Sequence, residues 1–153
     1  MTFDDLIRDF GGKIGVELTP RDGMVALDID GMSVLIQELR ELDAVVVLGE
    51  IGEPPPEGLE TLLTAMLNAN HLFAGTGGGT LSRDPESGKF YLCRWQPLAL
   101  ADAASFTTMM DRFMNVLETW RKLVADYRPD EAAASSEADL DVPALGGNGF
   151  LKI

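Results

Sequence analysis

Four places in this sequence combine residue types and spacings that could do chemistry. The run Gly75-Thr76-Gly77-Gly78-Gly79-Thr80 invites a phosphate-loop reading. Asp28-Ile29-Asp30-Gly31 resembles the end of a calcium-ligand run. His71 and Cys93 are the only histidine and the only cysteine. They are the candidates for a metal ligand, a general base or a nucleophile. Each candidate fails on what must surround it. A Walker loop needs a lysine after its last glycine, because that lysine reaches the phosphates, and none is present. A dinucleotide fingerprint needs a third glycine where Thr80 stands. The run also follows a helical pattern and precedes a strand pattern, the reverse of a phosphate-binding turn. It reads as a flexible helix-to-strand connection. A calcium loop closes on a bidentate Glu six residues after its glycine and opens on an acid or amide. Gln37 and Ala26 occupy those places, so the segment reads as a hairpin turn.

A single histidine excludes a multi-histidine metal site. No Gly-x-Ser-x-Gly elbow accompanies His71 to build a triad. Its expected role is at a helix end, against the last carbonyls. Cys93 sits between Leu92 and Arg94 with no base nearby in sequence, so it reads as structural. The scattered carboxylates read as a solvated surface that sequence cannot pair for acid–base work. No cofactor, metal or catalytic residue is expected, and binding remains as the function class.

Composition narrows the partner. The formal charge is −13 and the pI about 4.3. Phosphate neutralisation needs clustered Lys and Arg, so nucleic acid and anionic membranes are poor partners. A basic or partly unfolded polypeptide is a more natural one. The lone cysteine allows no internal disulfide, which fits a reducing cytosol. The opening residues, Met1 to Phe10, carry acids where a signal peptide carries bases. No run reaches the length of a membrane helix. The expected location is the cytoplasm.

The elements that must position these residues follow from periodicity. Thr2 caps a helix carrying Phe3, Leu6, Ile7 and Phe10 at helical spacing, with Gly11-Gly12 as its stop. From Met24 the period is two, and Asp30-Gly31 suits a tight hairpin into Met32–Leu39. Residues 43–51 form a third strand, whose run Val45-Val46-Val47-Leu48 suggests burial on both faces. Pro54-Pro55-Pro56 leads into a helix with Leu59, Leu62, Leu63, Met66 and Leu67 on one stripe. Strands over 80–83 and 89–96 flank Asp84-Pro85-Glu86-Ser87-Gly88. A last helix over 102–127 carries Phe106, Met109, Met110, Phe113, Leu117, Trp120, Leu123 and Val124. The order αβββαββα predicts an α+β domain: a five-stranded, mostly antiparallel sheet with three helices. The domain covers 1–129. Residues 130–153 read as an acidic, flexible tail that closes on the oddly apolar Phe150-Leu151-Lys152-Ile153, a chance or weak contact or a short docking peptide.

Element order and phrases across residues 2–127 resemble the class I type III secretion chaperones, the Tir-chaperone-like family. Four features carry the resemblance. They are the Asn68/Asn70 helix end before the glycine run, the strand–turn–strand from Leu81 to Arg94, the step Gln96-Pro97-Leu98, and a final helix closing on Glu118-Thr119-Trp120. Arg83, Gln96 before Pro97, and the long tail depart from the family pattern. The resemblance implies a homodimer without enzymatic activity. It would bind the N-terminal segment of a secreted effector and keep it non-globular and secretion-competent, with secretion-apparatus components as further partners. Strand addition at a sheet edge and apolar grooves would supply the binding. For the dimer it implies the second helix and adjoining strand, with Leu62, Met66, Phe73 and Trp95 as candidates. Surplus hydrophobicity points to Phe3, Leu6, Ile7, Phe10, Val34, Ile36, Val45 and Val47. One face of this set fills the core and another forms the effector patch. Met109, Met110 and Met114 offer either an adaptable surface or an ordinary packed stripe. A non-secretory adaptor or regulatory domain of the same fold is the competing reading.

Overall fold

The computed structural model describes residues 1–129; the expectation of a flexible tail lies outside them. Its elements run α1 (Phe3–Ile14), β1 (Met24–Ile29), β2 (Met32–Leu39), β3 (Ala44–Gly52), α2 (Leu59–Asn70), β4 (Thr80–Arg83), β5 (Phe90–Pro97) and α3 (Ala103–Asp126). The sheet order is β1-β2-β3-β5-β4, and every pairing is antiparallel. The predicted class, order and sheet therefore stand.

Local chemistry explains most boundaries. The Thr2 hydroxyl accepts from the Asp5 amide at 3.2 Å and caps α1. Asp30 and Gly31 both take positive φ, the requirement of a two-residue hairpin turn, and Asp28 accepts from the Gly31 amide. Asp102 and Ser105 close a reciprocal capping box on α3. One boundary differs from expectation. Gly11-Gly12 does not stop α1, which continues to Ile14 and ends on left-handed Gly15. Gly11 is needed for close approach: a Cβ there would lie 2.5 Å from the Val16 carbonyl oxygen.

All three helices contribute to one core on one side of the sheet. Phe3, Leu6, Ile7 and Phe10 of α1 meet Phe106, Met110, Phe113, Leu117 and Trp120 of α3. Phe10 and Phe106 pack edge to face with centroids 5.1 Å apart. The strands send alternate residues into this layer: Val25, Val34, Ile36, Val45, Val47, Ile51, Leu81, Phe90 and Leu92. α3 lies so close to β3 that a Cβ on Gly49 would sit 2.5 Å from a Leu117 methyl. The α3 methionines Met109 and Met110 belong to this core, so the packed-stripe reading holds for them. α2 is less deeply seated than its leucine spacing suggests. Leu62, Ala65, Met66 and Ala69 are buried, but Leu67 is 70% exposed.

α2 also protects one sheet edge. The Asn70 amide accepts from the Leu81 amide at 2.8 Å and donates to the Leu81 carbonyl at 3.1 Å. It thus fills the place of a neighbouring strand along β4. β1, at the other edge, pairs only with β2 within the sheet.

Candidate functional site

The four chemical candidates take structural roles. In the glycine run, Gly75 O accepts from the Trp120 indole at 2.8 Å and Gly77 O accepts from Arg94 at 2.7 Å. The Thr76 hydroxyl donates to Gly79 O at 2.7 Å. The loop spends its carbonyls tying α3 and β5 together. Asp28 serves the hairpin, as described. His71 follows α2, its backbone amide donating to Asn68 O. Its ring is exposed and makes no hydrogen bond to the described residues. Cys93 is half-buried, and burial pushes its thiol up, away from the reactive thiolate.

The eight residues expected to divide between core and effector patch are all core. Phe3, Leu6, Ile7, Phe10, Val34, Ile36, Val45 and Val47 are each at most 2% exposed. The reason is alternation. On β2 and β3 these positions point to the helix layer, where α1 and α3 cover them. Their unexpected complement is the other side of the same strands. Met24 and Ala26 of β1, Leu35 of β2, Val46 and Leu48 of β3, and Tyr91, Cys93 and Trp95 of β5 alternate with the inward set. None of them belongs to the helix-side core, and all but Val46, at 6% exposure, are at least partly exposed. No helix among the described residues supplies that core's counterpart on this side.

This second face is apolar and concave. A groove of about 780 Å³ is lined by Ala26, Leu35, Leu48 and Tyr91, with the β4–β5 turn residues Arg83, Asp84 and Pro85 as one wall. Its charged lining holds Asp28, Asp84 and Glu50 beside Arg83. Glu50 is held by Lys89 at 3.0 Å, and this contact raises the lysine's pKa. Asp84 is fixed by Ser87, whose hydroxyl and amide both donate to it, together with the Glu86 amide. Those bonds hold its carboxyl below the usual range. The β4–β5 turn is thereby a rigid wall. The signal for this face was present in Val45-Val46-Val47-Leu48. A run apolar at both parities means two buried faces, and only one is filled by helices.

The dimer candidates divide. Leu62 and Met66 are core, whereas Phe73 and Trp95 are 54% and 57% exposed. Leu72, which was not singled out, is 83% exposed. Leu72 and Phe73 have φ of 52° and 56°, a left-handed conformation that costs non-glycine residues energy. The turn is held to β5 from the helix side: Phe73 O accepts from the Gly77 amide, and Gly77 O accepts from the Arg94 guanidinium, whose side chain leaves β5 on the side opposite Trp95. Leu72 and Phe73, adjacent, strained and exposed, form a second apolar patch, whereas Trp95 stands on the open sheet face. Of the two departures in β5 and β4, Arg83 donates to Gly88 O at 3.1 Å. The Gln96 amide nitrogen is buried without a hydrogen-bond partner among the described residues.

The family model described as the Tir chaperone protein (CesT) family matches residues 5–121. No curated protein matches the chain in sequence. Among solved structures, the HopA1–SchA chaperone–effector complex contains a chain with a TM-score of 0.67 and 19% identity, covering 78% of this chain and 93% of that one. The ExoU–SpcU heterodimeric complex from the type III secretion system of Pseudomonas aeruginosa gives a TM-score of 0.63 at 17% identity, covering 79% and 96%. YbjN, a putative transcription regulator from E. coli, gives 0.58 at 12% identity, covering 85% and 91%. At these identities the likeness concerns the fold.

Proposed function

This chain belongs to the Tir chaperone protein (CesT) family, and we propose that it is a cytosolic chaperone for a type III secreted effector. It binds the effector's N-terminal region and keeps it non-globular and secretion-competent. The single observation that carries this reading is the uncovered second face of the sheet. A soluble domain gains nothing from leaving a concave apolar face on its central strands unless a partner covers it. Alternate side chains of an extended segment suit a groove floored by Leu35, Leu48 and Tyr91. Backbone groups on the free side of β1 offer strand addition beside it. The charge of −13 favours a segment with basic residues. The active unit is a homodimer, with Leu72 and Phe73 at the contact between copies. Neither ATP nor any enzymatic step is required, because binding alone keeps the client extended.

The test is co-expression with candidate secreted proteins from the same genome, followed by pull-down and light scattering. Capture of one protein through its N-terminal segment, at two copies of this chain per partner, is the expected result. Capture of a folded partner, or binding that ignores the N-terminal segment, would refute it. The second reading, a regulatory domain of the same fold, is favoured by one observation, the likeness to YbjN. It expects a folded partner or a peptide instead of an unfolded N-terminal segment.

A further inference from the structure

The glycine run spends its carbonyls on the fold, but one of its amides stays free. The Gly75 amide donates to Ala69 O, those of Thr76 and Gly77 to Phe73 O, and that of Gly79 to Thr76 O. The Gly78 amide, on an exposed residue in the left-handed region, has no acceptor among the described residues. A guanidinium lies against this glycine: a Cβ on Gly78 would sit 3.3 Å from the Arg94 Cζ. Arg94 carries five N–H donors and gives one of its nitrogens to Gly77 O. A second cation comes from α3. A Cβ on Gly77 would lie 3.3 Å from the Val116 Cγ2, and Arg112 stands one turn before Val116 on the same side of the helix. Arg94 feels that charge: burial first, and the Arg112 guanidinium second, hold its pKa below the ordinary arginine value. Neither arginine forms an ion pair with a carboxylate among the described residues. In a chain with 25 acids and 12 bases, two neighbouring cations without an acid are the reverse of what chance supplies. Gln96, two residues along β5 on the same side as Arg94, also buries an amide nitrogen with no acceptor among the described residues. Donors outnumber acceptors in this corner of the molecule.

We propose that Arg94, Arg112 and the Gly78 amide form a site for a small, doubly charged oxyanion, of which phosphate is the simplest. Guanidinium forks match oxyanions with parallel N–H···O bonds. A dianion neutralises both arginines at once, and a backbone amide in a glycine turn is a natural further donor. The lysine that a phosphate loop carries in its own sequence is missing here; the charge arrives from β5 and α3 instead. Solvent reaches the site, because Gly78 and Arg112 are exposed. The net charge of −13 does not forbid it, since repulsion from distant carboxylates is screened beyond about 8–10 Å at ordinary salt. Occupancy also steadies the neighbouring turn. Two amides of this loop donate to Phe73 O, so a bound oxyanion stiffens the segment that presents Leu72 and Phe73. The bearing of that stiffening on pairing between copies rests on the dimer reading; oxyanion binding itself does not.

The test titrates inorganic phosphate into the full chain by calorimetry, at constant ionic strength in a zwitterionic buffer. Arg112→Gln is the chief variant, since Arg112 is exposed and glutamine suits a helix. Phosphate affinity should fall by about tenfold or more, the weight of one charge-assisted hydrogen bond. Without phosphate the variant should melt at the parent's temperature or slightly above it, because a like-charge contact is gone. A lower melting temperature would make Arg112 a structural residue and overturn the proposal. Lys122→Gln removes the same charge about 15 Å further along α3 and should leave the affinity unchanged. An equal loss there would reduce the effect to net charge, which also overturns the site. So would the absence of saturable binding by the parent, or equal affinity in Arg112→Gln. A diglutamate peptide offers carboxylates in place of phosphate and should bind more weakly. Binding of that peptide in preference to phosphate would overturn the proposal in favour of an acidic partner segment. No client enters these titrations, so their failure leaves the chaperone reading standing, and failure of client capture leaves the oxyanion site standing.

Discussion

The two faces of one sheet are built from the same strands and differ in what covers them. On the helix side, Val34, Ile36, Val45 and Val47 are sealed under α1 and α3 with at most 2% exposure. On the other side, Leu35 and Leu48 are only half-buried, and Met24 and Trp95 are 40% and 57% exposed. Both sets are apolar, so hydrophobicity does not separate stability from binding here; parity along the strand does. Inward residues fix the fold. Outward residues store unburied apolar surface whose gain, about 25 cal/mol per Å², is realised only when a partner arrives.

The sharpest way to break this contrast is to cut the helix side. Trp120 is fully buried and donates to Gly75 O, so it links α3 to the glycine loop. Trp120→Ala should cost about 3–5 kcal/mol and leave that carbonyl unpaired. A urea titration followed by circular dichroism should show the loss. A cost under about 1 kcal/mol would mean the helix face is not the core described. The next effect concerns the patch at Leu72 and Phe73. Phe73→Gly removes the side chain and relieves its left-handed strain together. Dimer affinity should fall by roughly 2 kcal/mol, about thirtyfold, as expected for an aromatic anchor. Monomer stability should change by no more than about 1 kcal/mol. Light scattering across a dilution series reads the first and urea titration the second; an unchanged dimer would remove Phe73 from the interface.

The open face should give the reverse signature. Leu48→Ser leaves the helix-side core untouched, so stability should move by less than about 1 kcal/mol. Client affinity should fall about tenfold, or 1.4 kcal/mol. Titration of a captured effector segment against both proteins measures it. Unaltered affinity would move the client to the β1 edge or elsewhere.

The fold was legible because its signals are local. Asp30-Gly31, the Thr2 and Asp102 caps, and the switch from period two to period 3.6 each act within a few residues. The glycines at 11 and 12 misled because Gly11 makes room for the chain that folds back after Gly15, bringing Val16 and Leu18 against it, and Gly15 rather than Gly11 takes the left-handed cap. The site was less legible for a related reason. Sequence marks Val45 to Leu48 as apolar at every position, but which parity the helices cover depends on how α1 and α3 dock. Surplus hydrophobicity therefore named the buried half. Phe73 was named as a dimer candidate from the resemblance, but Leu72 carried no signal, since its exposure and positive φ come from the turn that ends α2.

The smallest expected effect sharpens the contrast by pH. Asp102 caps α3, the helix that seals the covered face, and its carboxyl is held low first by the Ser105 amide. A carboxylate whose folded pKa is depressed contributes stability above its unfolded pKa, and that contribution disappears as pH falls through the folded value. Asp102→Ala should therefore lower the melting temperature slightly at pH 7, and the gap to the parent should narrow as pH drops below the ordinary aspartate range. Asp84, held low first by the Ser87 hydroxyl, follows the same sign on the wall of the open groove. Asp84→Ala removes the bonds that fix that wall without touching the helix layer. Its melting curve should track the parent's more closely than that of Asp102→Ala at neutral pH, while its client affinity falls further. Thermal melts at stepped pH, paired with client titrations at pH 7, compare the two carboxylates directly. A larger stability loss at Asp84 than at Asp102 would mean that the turn, and not α3, is the more strongly coupled to the core.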